Sequence, residues 1–154
     1  SVDKFLTLNT RVVKLRIGVV LSKYGGAFDK IALPIKFGVG SPLGSGKQYM
    51  PWIHEEDLAR LIVEVVKNKS FNGVYNAVAP KHITNSEFIN KVAEKMSRPL
   101  FLPSVPEFLL KLIFGEMSVV ITKGSRVSAE KLLATGFSFR YDSSEKAIDN
   151  LLSQ

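Results

Sequence analysis

His54 is one of two histidines in the chain, and it runs straight into Glu55, Glu56 and Asp57. An imidazole beside carboxylates is suited to proton transfer near neutral pH. The spacing argues against a shared task. Adjacent positions on a helix point about 100° apart, so three consecutive carboxylates cannot converge on one substrate atom. They fall instead in the first turn of the apolar-periodic stretch that follows, where acids meet the positive end of the helix dipole. Two readings of His54 stand side by side. It ends an extended segment and bonds nearby backbone, or it donates to a substrate oxygen. Metal binding is a poor fit, because neither His54 nor His82 has a second ligand at helical spacing and the chain has no cysteine.

Other chemistry-bearing patterns fail on their spacing. Residues 38–46 read GVGSPLGSG. A dinucleotide fingerprint needs a third glycine where Leu43 stands, and a helix where an extended segment follows. Gly46-Lys47 is followed by Gln48, so there is no Walker-type phosphate loop either. No tyrosine has a lysine four residues on. From its residues alone the chain is an α/β piece without a recognisable catalytic set. Arg16 stands out inside an apolar strand, where a buried guanidinium needs a partner or a cofactor nearby. Lys47 reads as an exposed loop residue, with substrate contact as the alternative.

The elements that would position these residues are legible from periodicity. Residues 10–21 form a nearly continuous β-branched run, suited to a strand buried on both faces. Residues 27–37 have helical spacing, shortened or kinked by Pro34. Residues 48–54 read as a short extended segment. Leu58, Leu61, Ile62, Val65 and Val66 line one helical stripe. A second short strand covers 74–79. Thr84 and Glu87 make a capping box for a helix bearing Phe88, Ile89, Val92, Ala93 and Met96. Ser104 and Glu107 match a second box before an apolar run, and 116–123 reads as a weak helix. Ser128 opens a short helix that Gly136 closes. Residues 137–141 alternate like a strand, and a last helix buries Ala147, Ile148, Leu151 and Leu152.

Composition narrows the classes. Hydrophobic residues make up 45% of the 154-residue chain and charged residues 23%, as in ordinary globular domains. The net charge is +7, but the 21 lysines and arginines are spread evenly and never adjacent. Neither a nucleic-acid surface nor a membrane anchor is expected. With no leader pattern, the cytoplasm is the expected compartment. The start at Ser1 rather than methionine suggests a fragment, a processed chain or an expression scar.

Order then adds what single motifs lack. The series Arg11 to Ser22, Gly44-Ser-Gly-Lys-Gln48, Trp52-Ile-His-Glu-Glu-Asp-Leu-Ala59, Tyr75 to Pro80, Phe114-Gly-Glu-Met117 and Gly136 to Tyr141 resembles the extended short-chain dehydrogenase/reductase superfamily, in its nucleoside-diphosphate-sugar epimerase branch. The resemblance implies an α/β fold: the C-terminal part of a Rossmann-like NAD(P)-binding protein with a mostly helical substrate-side domain, the half with the glycine fingerprint missing. Residues 1–82 would hold late strands and helices of the sheet with a substrate-domain insertion, and 83–154 a mostly helical C-terminal domain. It further implies NAD or NADP in the full-length parent and none bound by this segment alone. Ile17, Gly18 and Val19 would meet the cofactor, and Gln48, Trp52 and His54 would face substrate. For Trp52, packing at the domain junction is the other reading. The tyrosine–lysine pair would lie outside this chain, leaving it without a catalytic residue and inactive by itself. The implied partners are a small-molecule substrate such as a nucleotide sugar, the missing N-terminal half, and a second copy. Two positions depart from the branch. Met50-Pro51 replace an Arg-Asp whose arginine holds diphosphate, and Val19 replaces an asparagine. The alternative to an epimerase fragment is a non-catalytic protein-interaction or self-association module.

Overall fold

The computed structural model describes residues 10–106 and 124–153. The described elements run β1 (Val13–Ile17), β2 (Val19–Leu21), α1 (Ala27–Lys36), β3 (Trp52–His54), α2 (Glu55–Lys67), β4 (Gly73–Ala77), α3 (Asn85–Lys95), α4 (Glu130–Leu133) and α5 (Ser144–Leu152). β1 pairs in parallel with β4, from Val13 opposite Gly73 to Ile17 opposite Ala77. β2 pairs in parallel with β3, from Val19 opposite Trp52 to Leu21 opposite His54.

The run expected as one strand is therefore two, divided at Gly18. The Gly18 amide donates to Ala77 O, and the next amide, Val19, donates to Pro51 O. The chain changes ladder partner across a single residue. A side chain would not fit there, since a Cβ on Gly18 would lie 2.5 Å from Pro51 O. Burial differs from expectation as well. Ile17 is 51% exposed and Arg16 is exposed, because among the described residues β1 has a ladder partner on one side only.

Two apolar clusters hold the elements together. The first joins Leu21, Phe28, Ile35 and Trp52 to Phe88, Ile89 and Val92 of α3 and Ala147, Ile148 and Leu151 of α5. The second joins Ile53, Leu61, Phe71 and Tyr75 to Leu132 and Phe137. Both draw residues from either side of position 82.

The helices follow their local signals. α1 carries Pro34 and ends two residues later, with Gly38 beyond it at φ 75°. α3 has the full capping box of Thr84 and Glu87. α4 ends at Leu133, and a turn over 134–136 closes on Gly136, whose φ is 84°. In α2 only Leu61 of the expected stripe is fully buried. Ala59, Ile62, Val63 and Val66 form a second, exposed stripe at helical spacing. Residues 137–141 make no strand. The Arg140 and Tyr141 amides bond the Asp57 carboxylate rather than a neighbouring strand. Glu107 and the stretch 116–123, where a weak helix is expected, lie outside the described residues. No helix among the described residues is long and apolar enough to cross a membrane.

Candidate functional site

The C-terminal ends of β1 and β4 open on the same side, as parallel strands must. In open α/β sheets that rim is where ligands bind. Gly18 sits there, pressed between Pro51 and Val78. Ile17, Gly18 and Val19 thus occupy one short turn of backbone at the point where the ladder changes partner. Val19 lies opposite Trp52.

Gln48 stands before that rim and is tied into the glycine-rich loop. Its Nε2 donates to Leu43 O at 2.8 Å, and its carbonyl accepts from the Asn85 amide. The loop's own amides are committed to protein: Leu43 N to Asn85 Oδ1, Gly44 N to Val105 O, and Gly46 N to Leu43 O. This loop clamps the start of α3, and those amides are not directed at a phosphate. Lys47 is exposed on it. Trp52 is buried in the first cluster, 1% exposed, as a packing residue would be.

His54 is buried at the other end of β3. Its Nδ1 accepts from the Glu56 amide and caps α2, while Nε2 donates to Asn150 Oδ1 at 3.1 Å. These two bonds define the neutral Nε2–H tautomer. Its ring stacks on Tyr141, with centroids 3.8 Å apart. Burial lowers the imidazole pKa below its ordinary value; Glu56, the Asn150 bond, Glu55 and Asp57 oppose that shift. The three acids diverge, as helical geometry demands. Glu55 receives Ser22 Oγ and the Lys23 amide. Glu56 receives the Tyr141 hydroxyl and Arg140. Asp57, with no exposed surface, receives the Arg140 and Tyr141 amides and Arg60.

Sequence reasoning missed a second group of residues. Tyr49, Pro80, Lys81, His82, Thr84, Glu87 and Arg126 line an open cleft of about 510 Å³. Arg126 lies over the Tyr49 ring at 5.9 Å, and His82 meets the same ring edge-on at 6.0 Å. Gly124 makes this possible, since a Cβ there would meet Tyr49 O at 1.9 Å. The cleft's residues come from three distant stretches, so no local pattern announces it. The glycine two places before Arg126 was the only sequence signal. Among the described residues no group of three or more His, Cys, Asp or Glu could hold a metal.

Comparison with known proteins supplies the context for this rim. Residues 105–151 match a family described as "Domain of unknown function (DUF1731)". The chain is 36% identical over 146 residues to the epimerase family protein SDR39U1 of Mus musculus, covering 94% of this chain and 50% of that protein. It superposes on the crystal structure of human epimerase family protein SDR39U1 (isoform2) with NADPH at a TM-score of 0.87 and 35% identity, covering 92% of this chain and 48% of that one. The chain belongs to the epimerase family of extended short-chain dehydrogenase/reductases. A chloroplastic homologue from Arabidopsis thaliana is 41% identical over 133 residues, 86% of this chain and 38% of that protein. The chain thus spans about half the length of the curated epimerase-family relatives it matches, and it matches their C-terminal half. Its parallel strand pairs are part of the α/β, Rossmann-type architecture of that family.

Proposed function

We propose that this chain is the substrate-side lobe of an NAD(P)-dependent epimerase, or of a related dehydratase or reductase, and works only with the glycine-fingerprint half of the fold. The observation that carries this reading is the partner switch at Gly18. It brings the half-exposed Ile17 and the Gly18–Val19 backbone to the C-terminal rim, where the edge of a nicotinamide could approach. Ile17, Gly18 and Val19 would form that edge. The cofactor, NAD or NADP, would carry the hydride, and a tyrosine–lysine pair from the other half would manage the hydroxyl proton.

On the substrate side, Gln48 is the one of the three candidates with partial exposure, its head bonded to Leu43 O and Ser45 Oγ of the glycine-rich loop. Trp52 and His54 are buried and would act as positioning residues, Trp52 behind the rim and His54 through the start of α2. The segments 1–82 and 83–154 would be sheet-side and helical portions of one lobe. The substrate would be a small hydroxylated molecule, with a nucleotide sugar one option, and the cytoplasm is the proposed compartment.

The test is reconstitution. This chain by itself should bind NADPH no tighter than millimolar by calorimetry. Co-expressed with the N-terminal half of a close relative, it should bind at least a hundredfold tighter, and Ile17→Glu, at an exposed position, should abolish the gain while circular dichroism shows the fold intact. Micromolar NADPH affinity for the 154 residues alone would overturn the proposal. The exposed stripe Ala59, Ile62, Val63 and Val66 favours a second reading, an interaction or self-association module. Sedimentation over a hundredfold concentration range separates the two: association that Val66→Glu abolishes, without any gain in NADPH binding on reconstitution, supports the module.

A further inference from the structure

The exposed face of α1 is apolar at its centre and charged around it. Leu33 lies mid-face, away from the buried Phe28 and Ile35. It is 56% exposed, and Phe37, about one turn on, is 72% exposed. Two neighbouring strips widen the patch. The Val39 amide turns back to Pro34 O, which leaves Val39 exposed beside the helix end. Ser41 Oγ donates to Pro103 O and the Val105 amide to Pro42 O, so the chain around 103–105 lies alongside 41–43. Just before it, Phe101 is 78% exposed and Leu102 48%. Scattered apolar side chains on a surface are ordinary, whereas Leu33, Phe37, Val39, Phe101 and Leu102 in one region mark a contact site.

The charges on α1 indicate what the patch contacts. Asp29, Lys30 and Lys36 are exposed. Among the described residues no hydrogen bond or ion pair holds any of these three side chains. At about 100° per residue, Asp29 and Lys36 fall about 40° and 60° to one side of Leu33, and Phe37 and Lys30 about 40° and 60° to the other. Along the helix, Asp29 and Lys30 precede Leu33 by about 6 and 4.5 Å, and Lys36 and Phe37 follow it by about 4.5 and 6 Å.

This arrangement is complementary to itself. A two-fold axis running across the helix at Leu33 reverses position along the helix and keeps the side. It sets each Asp29 against the partner's Lys36, each Lys30 against the partner's Phe37 ring, and Leu33 against its own copy. Opposite charges then meet at both ends, and a cation meets an aromatic ring. A lipid surface or a polyanion would attract the lysines and repel Asp29, whereas a second copy engages all three charges.

We propose that α1 is the contact face of a two-fold homodimer of this chain, its two helices lying antiparallel across Leu33 with Asp29 paired to the partner's Lys36 and the surrounding apolar patch covered. The contact is small, so the dimer is reversible. The inference does not rest on NAD(P) binding, and its face is not the α2 stripe.

The experiment is sedimentation velocity of the 154-residue chain over a hundredfold concentration range. A monomer–dimer equilibrium is expected. Phe37→Glu should weaken it at least tenfold, and so should Lys36→Glu, which sets carboxylate against carboxylate. Adding Asp29→Lys to Lys36→Glu reverses both members of each pair and should restore the dissociation constant to within about threefold of the original. Circular dichroism checks that each variant is folded, and Leu33→Gln replaces Phe37→Glu if that variant is not. A monomer at every concentration overturns the proposal. So does a dimer that the folded Phe37→Glu or Leu33→Gln variant keeps intact, or a double charge swap that restores nothing. Association abolished by Val66→Glu and untouched by Phe37→Glu puts the contact on α2 and also overturns it. Neither cofactor nor N-terminal half is present, so the reconstitution succeeds or fails independently of this result.

Discussion

β3 is three residues long, and its two ends meet opposite environments. At His54 the strand runs into a junction where ring nitrogens, carboxylates and backbone amides are paired across four stretches of chain: residues 22–23, the start of α2, residues 140–141, and α5. At Trp52 the indole N–H has no partner among the described residues, and Lys81, Arg126 and Glu87 line the open cleft alongside. A satisfied polar network of this kind fixes one arrangement, whereas an unsatisfied donor beside open space leaves a place for a ligand. Two histidine- and aromatic-bearing regions a few residues apart therefore differ in kind: one is architecture and the other is a candidate receptor.

The largest break in that contrast should come from Asp57→Ala. It strips two part-buried backbone amides and Arg60 of the acceptor, the fully buried Asp57 carboxylate, and the lost charge-assisted bonds predict a loss of about 3 kcal/mol, or roughly 6–12 °C in Tm for a domain this size. Thermal unfolding by circular dichroism measures it, and a drop below about 1 kcal/mol would mean the junction tolerates water. Next is Gly124→Ala. Its Cβ cannot coexist with Tyr49 O at 1.9 Å, so the 124–127 backbone must move, at about 1–3 kcal/mol. The NMR signals of Tyr49 and Trp52 should shift while those of His54 stay. Denaturation at graded pH tests His54. Burial lowers its folded pKa, so the unfolded chain takes up the proton first. The stabilisation is complete above pH 6.5, the unfolded value, and is lost as pH falls from there through the lower folded pKa. His54→Asn, which keeps a capping oxygen, should flatten the slope. The smallest effect is Trp52→Phe. It removes the orphan N–H but keeps most of the ring, and the net change should stay within about 1 kcal/mol by urea unfolding.

Much of this was legible in the sequence because it is local. The capping box at Thr84 and Glu87, the turn that reaches Gly136 after α4 and the buried face of α5 each follow from residues within a few positions of one another. The divergence of Glu55, Glu56 and Asp57 follows from helical geometry alone. What each acid reaches does not, since every partner but Arg60 lies 32 to 85 positions away. Alternation over 137–141 read as a strand because periodicity cannot distinguish a ladder from a carboxylate that takes the same amides. The continuous run of 10–21 hid its division because only the approach of Pro51 forces glycine at 18. The expected burial of Arg16 and of Ile62 and Val66 assumed neighbours that are not among the described residues. Arg126 drew no notice, being one cation among 21 until the fold laid it on Tyr49.

The bond between His54 and Asn150 joins positions 96 apart. Closing so long a loop carries an entropic charge that nearby pairings avoid, and contacts of this separation slow folding. The first turn of α2 is consequently expected to be among the last pieces to lock, well after α3 has nucleated on its own box. On a ribosome, that helix emerges and waits for another 96 residues to follow His54 before Asn150 can tie down its start.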